Sequence, residues 1–564
     1  MRKRWTLLPA DEGTVGHLQQ VLKINPVFCR LLAQRGIRSF DEARAFFRPE
    51  WSQLHSPFSI KDMDLAVGRL ETALRQGEQI LLYGDYDVDG TTAVAFLHEF
   101  LTAHGANLSY YIPDRYREGY GVSMAGVEHA IASGKTLVIA MDCGVNARQQ
   151  VAKAKAHGVD FIICDHHLPD GPLPEAVAVL DPMRPDCAYP FKGLSGCGVA
   201  FKLAQAFLQK NRYPEAALHP LLDLLALSIA ADIVPMVGEN RVLASLGLAV
   251  LNHLERPGLQ ALHELSGRAL PMSISDVVFG LAPLINAAGR LADADQAVKL
   301  LLSKDKDAAT ENAQVLLRRN QLRKEHDQQI RDEAIRLFEA MPAWEARRSV
   351  VLYQAEWHKG VIGIAAARMV ERFHRPTILL TQSNGMAVGS ARTVPGFNIY
   401  QAIKSCEDLL TNFGGHDHAA GLTMPLEAVP LFRERFEQAV QATITPDQQQ
   451  PELEVNAVLG LNEITPGFWH ILKQFAPFGP GNHSPVFVSK NVVDTGHSRL
   501  LKGNHLRISV RQDGTQPVMG IAFGMGEHFA RIASKRPFHI AYKIEEEQWQ
   551  GRSYLRMMVK DFWF

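Results

Sequence analysis

The sequence predicts a multidomain α/β protein: a doubly wound parallel sheet, a long linker helix, a second α/β block and a C-terminal β-barrel. Three observations carry this reading. Short apolar runs alternate with helix-compatible stretches from Gln79 to Leu180, as in parallel sheets whose strands are buried on both faces. A charged, helix-permissive segment from Asp305 to Met341 is closed by Pro342, a residue that cannot continue a helix. The segment 451–564 reads as short strands separated by turns, the pattern of a small barrel. With about 150 residues per domain, a chain of 564 residues holds several domains, each large enough for its own core.

In chain order, residues 1–60 read as a short helical lead-in. Within 61–302, strands are expected at Gln79–Tyr83, Leu108–Ile112, Leu137–Met141, Phe161–Cys164 and Val177–Leu180. A loop and the helix Thr92–Ala103 follow the first strand, and a helical region runs from Ser195 to Leu302. Segment 303–345 is the linker helix, with Leu316, Ile330, Ile335 and Leu337 as apolar anchors. It reads equally as a spacer between domains or as an ordinary surface helix. Segment 346–450 holds strands at Val350–Tyr353 and Thr377–Leu380 and glycine clusters near 389 and 414. In 451–564 strands are expected at Leu506–Val510 and Val518–Phe523, and from Arg499 onward 11 Lys+Arg stand against 6 Asp+Glu, a modest basic excess.

Charge limits the function classes. With 59 Lys+Arg and 60 Asp+Glu the formal charge is −1, which excludes a uniformly basic nucleic-acid coat. Any phosphate binding must use local patches or metal ions. The six cysteines form no C-x-x-C pair, so neither a zinc ribbon nor a disulfide scaffold is expected, and a reducing, cytoplasmic compartment is. The basic N-terminus lacks an apolar core for a signal peptide. The most apolar stretch, Leu221–Val237, carries Asp223 and Asp232, so no membrane span is expected.

The strongest chemical signal is Asp85-Tyr86-Asp87-Val88-Asp89-Gly90, directly after a predicted strand. Three alternating carboxylates repel one another, and a hard divalent cation would neutralise them. An EF-hand loop is disfavoured: its twelfth position calls for Glu, this chain has Phe96 there, and a strand precedes the motif. Asp142 follows a second predicted strand, and Asp165-His166-His167 follows a third. In a parallel sheet the C-terminal strand ends line one crevice, so these groups should converge there. Asp232, in the apolar setting SIAADIVPM, is either a helix cap or a further ligand. Carboxylates and imidazoles without paired cysteines suit Mn²⁺ or Mg²⁺ better than structural zinc. The set is large enough for two ions, with Asp142 as the bridge.

These motifs resemble the DHH phosphoesterase family, named for the triplet Asp165-His166-His167, and within it the bacterial branch of single-strand-specific 5′→3′ DNA exonucleases. The resemblance covers nearly the whole chain. It runs through YGDYDVDGTTA (83–93), YIPDRYREGYG (111–121), MDCG (141–144), CDHHLP (164–169), LSGCGVAFKL (194–203), ADIVPMVGENR (231–241) and INAAGR (285–290). It continues through WHKGVIGIAAAR (357–368), GSARTVPGFN (389–398), GGHDHAAG (414–421) and FAPFGPGN (475–482). It implies a DHH catalytic domain over 61–302, a DHHA1 substrate-binding domain over 346–450 and an OB-fold over 451–564.

By the same resemblance, Asp87, Asp89, Asp142, His166 and Asp232 are metal ligands, and His167 stands beside the metals and the scissile phosphate. Asp165 orients the histidines, and Asp85 is a companion carboxylate behind the ligands. His416 approaches the substrate, and Gly414 and Gly415 allow close approach of a strand, although the glycine pair alone reads as a tight turn. Ser390 and Arg392 are expected to hold a 5′-terminal phosphate, with Arg115 facing the same pocket. Asn286 and Arg290 are expected beside the scissile phosphodiester, where a guanidinium can fork onto phosphate oxygens. In the barrel His505, Arg507, Arg511 and Phe523 are candidate DNA contacts, although Phe523 alone reads as core. The segment before Tyr83 lacks the His that other branches of the superfamily place in the first motif, as fits this branch, and no metal motif carries a charge-removing substitution, which counts against an inactive relative.

The expectation is therefore a two-metal hydrolase of phosphodiester bonds in single-stranded DNA, using Mn²⁺ or Mg²⁺. It would work from a 5′ end, release 5′-mononucleotides, and act in repair and recombination. The implied partners are single-stranded DNA with a 5′ end, a RecQ-type helicase and a single-strand-binding protein; no membrane partner is expected, and a monomer suffices. Rival readings are a nanoRNase, a nucleotide phosphatase or a cyclic-dinucleotide phosphodiesterase, which usually lack the barrel, and a non-catalytic nucleic-acid-binding scaffold.

Overall fold

The structure, a computed structural model, describes residues 3–291, 294–512, 514–549 and 552–564. Met1 and Arg2 of the lead-in, and residues 292 and 293 of the helical region, lie outside this set. The chain folds into two compact units. The larger comprises Trp5–Ala282, Ala297–Thr310 and Leu453–Phe564; the smaller comprises Met1–Arg4, Pro283–Gln296 and Glu311–Glu452.

The larger unit is built on a five-stranded parallel sheet. Its strands are β1 (Gln79–Gly84), β2 (Asn107–Tyr111), β3 (Leu137–Met141), β4 (Asp160–Cys164) and β5 (Ala178–Leu180), in the order β2-β1-β3-β4-β5. Alternation assigns the two faces. Leu81, Tyr83, Val138, Ala140, Phe161 and Ile163 pack against helices Met124–Ala132 and Arg148–Ala156. The other face is covered by α1 (Val88–Ala103) and α2 (Gly196–Asn211). Helix α1 starts four residues earlier than expected from sequence. The Asp87 carboxylate accepts from the amides of Asp89 and Gly90, so the acidic motif itself caps the helix. Helices α3 (Leu222–Ala231) and α4 (Gly238–His253) belong to the helical region behind the sheet.

The N-terminal lead-in opens on a strand, Arg4–Leu7, before its helices, and its core is shared. Leu18, Phe28 and Leu32 join Phe468, Phe475 and Phe487 of the C-terminal segment in one apolar cluster, with the Phe28 and Phe468 rings 4.4 Å apart. The loop 475–482 is bound to α4 through Arg241. This buried guanidinium donates to the carbonyls of Phe46, Gln474, Phe475 and Ala476 and lies 3.8 Å over the Phe46 ring. Beside it, the Met236 amide donates to Pro480 O at 2.7 Å.

The smaller unit holds most of a single 34-residue helix, α5 (Lys306–Glu339), whose first residues to Thr310 belong to the larger one. Leu316, Ile330, Ala334 and Phe338 are buried along it. Leu337, expected as an anchor, is exposed; Phe338, one residue on, takes the inward position and packs against Val350, Leu352 and Phe373. The sheet is mixed: β6 (Val350–Tyr353) runs parallel to β7 (Thr377–Ser383), and β8 (Met386–Arg392), β9 (Asn412–His416) and β10 (Ala419–Pro425) complete the order β9-β10-β8-β7-β6. Helix α6 (Ile362–Phe373) packs on β7 and β8. Gly414 and Gly415 lie in strand β9, not in a turn; pairing with β10 carries them, and the reversal comes after His416.

The C-terminal barrel closes through five strands: β11 (Phe487–Asp494), β12 (His505–Arg511), β13 (Val518–Ala522), β14 (Phe538–Trp549) and β15 (Arg552–Trp563). The circuit is β11-β12-β13-β15-β14-β11, with β13 and β15 parallel and every other pair antiparallel. Closure pairs each of these five strands on both sides, and the short strands Ala457–Val458 and Arg499–Leu501 add to β11 and β12.

Candidate metal centre

Asp85, Asp142 and Asp165 directly follow strands β1, β3 and β4. The parallel register that buries their apolar runs therefore brings the acidic motifs to one edge. Three overlapping ligand groups result: Asp85, Asp87 and Asp142; Asp142, His166 and His167; and Asp89, His166 and Asp232. In each, the ligand atoms lie within 4.8 Å of one another. His166 Nε2 is 3.1 Å from Asp142 Oδ1 and 3.7 Å from both Asp89 Oδ2 and Asp232 Oδ2. Asp142 and His166 each belong to two groups, as bridging and shared positions for two ions require. Asp232 is the C-cap residue of α3, and its carboxylate faces His166 as well.

Each group is held from behind. Asp89 accepts from the amides of Gly196 and Cys197, at 2.6 and 2.9 Å, and from the Ser228 hydroxyl at 2.6 Å; the positive end of α2 thus points at this carboxylate. Asp165 Oδ1 accepts from the His166 amide at 2.8 Å and bonds His167 Nδ1 at 2.7 Å, while its Oδ2 accepts from the Val145 amide. Asp142 sits at φ +60, a left-handed conformation that costs free energy in a non-glycine residue.

The electrostatics match this crowding. Burial first, then the charge of neighbouring aspartates, pushes Asp85, Asp87 and Asp142 above the usual carboxylate range, and Asp232 up to about 9. Burial lowers His166 and keeps it neutral. Burial would lower His167 also, but the hydrogen bond and charge of Asp165 prevail and raise it to about 9. Asp165 itself is pulled down by His167 and the Val145 amide against the opposing effect of burial. Asp85 Oδ1 is buried with no hydrogen-bond partner. A buried orphaned carboxylate oxygen, mutually repelling acids and a neutral imidazole fit hard divalent cations, and oxygen-rich donors favour Mn²⁺ or Mg²⁺.

Arg115 stacks 4.9 Å over the Tyr86 ring, within the acidic motif. Two members escaped the sequence reading. The Tyr120 hydroxyl donates to Asp142 O at 3.2 Å and lies 3.0 Å from the His167 ring nitrogens; its presence in the YREGYG run was the available signal. Ser228 carries no motif, and only its place one helical turn before Asp232 marks it.

The smaller unit gathers other expected residues on its own sheet. Register aligns His416 with Ala419 and Arg392, and Gly414 with Gly421 and Ser390. Ser390, Arg392, Gly414 and His416 therefore share one face. Arg392 Nη1 bonds Ser390 Oγ at 3.1 Å. Both side chains crowd Gly363 in the first turn of α6, where an added Cβ would stand 2.8 Å from Ser390 Oγ. The N-cap Val361 offers α6 no side-chain cap. A hydroxyl and a guanidinium beside the start of a helix are groups that can bind a phosphate. Asn286 and Arg290 are one turn apart on the helix Ala282–Leu291, and Arg290 reaches Gly360 O at 3.5 Å.

On the barrel, Arg507 lines a groove of about 1110 Å³ with Leu501, Met519, Tyr554 and Arg556; Arg511, at the end of the same strand, does not line it. Phe523 is not core: it is 51% exposed and packs edge-on against His505 at 5.1 Å, because it lies beyond the end of β13. Among the described residues, no helix is long and apolar enough to cross a membrane.

Comparison with known proteins agrees with this arrangement. The DHH family N-terminal domain matches residues 79–229, the DHHA1 domain 347–442 and the RecJ OB domain 455–561. The single-stranded-DNA-specific exonuclease RecJ of Bacillus subtilis is 36% identical over 564 residues, covering 99% of this chain and 71% of that protein. Its Escherichia coli counterpart is 34% identical, covering 96% of each. The crystal structure of RecJ from Thermus thermophilus in complex with Mn²⁺ aligns over 100% of this chain and 79% of that one, with a TM-score of 0.85 and 29% identity; the Mg²⁺ complex aligns with a TM-score of 0.79.

Proposed function

The chain belongs to the RecJ family of single-stranded-DNA-specific exonucleases, and on that premise we propose that it degrades single-stranded DNA from the 5′ end, releasing 5′-mononucleotides. The observation that carries the proposal is the convergence of three ligand groups on Asp142 and His166 at one sheet edge. Two Mn²⁺ or Mg²⁺ ions, when bound there, supply water activation and neutralise charge on the reacting phosphate. Asp87, Asp89, Asp142, His166 and Asp232 hold them, with Asp85 in support.

The remaining work belongs to the chain. The α2 amides fix the Asp89 carboxylate in one orientation. Asp165 engages His167 Nδ1 and stabilises the protonated ring, and the Tyr120 hydroxyl, 3.0 Å from the ring nitrogens, fixes its orientation, so that a cationic imidazole stands beside the phosphate. Ser390, Arg392 and the start of α6 take a terminal 5′-phosphate, and Arg115 is a further phosphate-binding residue. Asn286 and Arg290 bind the scissile phosphodiester, and His416, with Gly414 and Gly415, lies along the strand. Arg507 and Arg511 follow the backbone on the barrel.

Single-strand specificity makes the enzyme depend on a reaction that opens duplexes. A helicase of RecQ type and a single-strand-binding protein are therefore the proposed partners, in repair and recombination in the cytoplasm, with the chain working as a monomer. The test is digestion, with Mn²⁺, of 5′- and 3′-labelled single strands, duplexes and short RNA. Mononucleotides released from the 5′ label of single strands are expected. Activity confined to dinucleotides would favour a nanoRNase or phosphodiesterase instead, and no hydrolysis a binding scaffold.

A further inference from the structure

Three large apolar side chains stand exposed beside the metal-ligating cluster. Ile233 directly follows Asp232 and is 63% exposed; Leu168 directly follows His167 and is 64% exposed; Tyr120, in contact with His167, is also exposed. A single exposed aliphatic residue is ordinary on a protein surface. Here each is next in sequence to, or in contact with, a member of one polar cluster, and Asp232 and His166 face each other at 3.7 Å.

Ile233 carries a second, independent signal. Its φ is +58, a left-handed conformation that a β-branched residue occupies only under strain and that glycine would occupy freely. The surroundings impose it. The Asp232 amide is tied to Ser228 O at 3.0 Å. Beyond Ile233, Val234 is buried, Pro235 O accepts from Asn240 Nδ2 at 3.0 Å, and the Met236 amide is held by Pro480 O. Folding gains little from a side chain that is both strained and largely in solvent. Such strain is kept where a site needs it.

Resting on the exonuclease reading, we propose that Ile233 and Leu168 form an apolar rim that takes the face of the nucleobase adjoining the scissile phosphate. The carboxylates and imidazoles next to them in sequence serve the phosphate and leave the base without a partner. An aliphatic rim supplies one by contact with the base's flat face. It offers no hydrogen bond, so it positions any of the four bases alike and adds no sequence preference.

The experiment uses the full chain with Mn²⁺ and single-stranded oligonucleotides that are intact or carry one abasic residue at the first, second or third position from the 5′ end. Ile233→Gly and Leu168→Ala are compared with the unaltered protein. Ile233→Gly removes side chain and strain together, so its melting temperature should not fall. On intact DNA each variant should raise KM roughly tenfold. On the substrate lacking the contacted base, the unaltered protein should show that loss and the variants no further one. Binding of the same oligonucleotides without divalent ions, followed by fluorescence anisotropy, should show the same pattern. Equal loss on intact and abasic DNA at every position would overturn the rim. Failure of the unaltered protein to degrade intact single strands would instead overturn the exonuclease reading.

Discussion

Gly196 backs directly onto Asp142: a Cβ added to the glycine would lie 2.6 Å from the aspartate Cβ and 2.8 Å from its Cα. The start of α2 can thus approach the end of β3 only because position 196 has no side chain. That approach lets the Gly196 amide reach Asp89 at 2.6 Å while Asp142 stays 3.1 Å from His166. Gly196→Ala should therefore cost about 1–3 kcal/mol through overpacking. It should also lower kcat on the order of a hundredfold, as expected of a misplacement near one ångström. Denaturant unfolding and single-turnover cleavage check the two effects; an unchanged kcat would refute the coupling.

Divalent ions should stabilise the protein more strongly as pH rises. In the metal-free chain Asp232 is raised to about 9 by burial and by Asp89 and Asp87. A raised carboxylate stays protonated in the fold while the unfolded chain has already ionised, so stability falls as pH climbs from the unfolded value towards 9. Bound cations require the ionised form and displace its proton. The melting-temperature increase on adding Mn²⁺ should be larger at pH 8.5 than at pH 6. Asp232→Asn should raise the metal-free melting temperature at pH 8 and shrink the Mn²⁺ increment. A greater increment at pH 6 would contradict the assignment.

Much of this centre is legible in the sequence, for a physical reason. Parallel strands buried on both faces are continuous apolar runs, and polar residues directly after them fall at the shared C-terminal edge; Asp85, Asp142 and Asp165 are read this way. The supporting groups are not. Ser228 and Tyr120 reach the cluster through tertiary packing, and their place one turn before Asp232 and in the YREGYG run is only a faint local trace of it. Helix α1 begins at Val88 because Asp87 caps it, although acidic and glycine-rich residues resemble a loop. The lead-in and barrel read as separate pieces, yet Phe28 and Phe468 are 4.4 Å apart, since contacts so distant in sequence leave no local periodicity. Leu337 and Phe523 show the opposite error: apolar character alone does not place a side chain inward.

If Ser390, Arg392 and the start of α6 hold a terminal phosphate, Arg392→Ala should weaken binding of 5′-phosphorylated single strands roughly tenfold or more, the value of a charge-assisted contact. Strands with a 5′-hydroxyl should be affected much less. Gly363→Ala should act in the same direction, because its Cβ would stand 2.8 Å from Ser390 Oγ and 3.1 Å from Arg392 Nη2. Fluorescence anisotropy with both end types, without divalent ions, measures the difference. Equal weakening on both ends would remove the terminal-phosphate role.

The last strand of the parallel sheet ends on an acid of another kind. Asp181 follows β5 and is fully buried; its Oδ1 accepts from the Met183 amide at 2.7 Å, while Oδ2 has no partner. Burial, with a contribution from Asp165, raises it to about 7. Between its ordinary value of 3.8 and that point, the folded chain keeps a proton that the unfolded chain has lost. Its contribution therefore turns against stability as pH rises through this window and is constant above it. Replacing an unpaired buried carboxylate with a neutral amide of the same shape removes a cost on the order of a few kcal/mol. Asp181→Asn should match the unaltered protein near pH 4 and exceed its melting temperature by a margin that grows to pH 7 and then levels. Calorimetry of both metal-free chains across this range decides it; a margin that shrinks with rising pH would show that Asp181 is ionised and compensated in the fold.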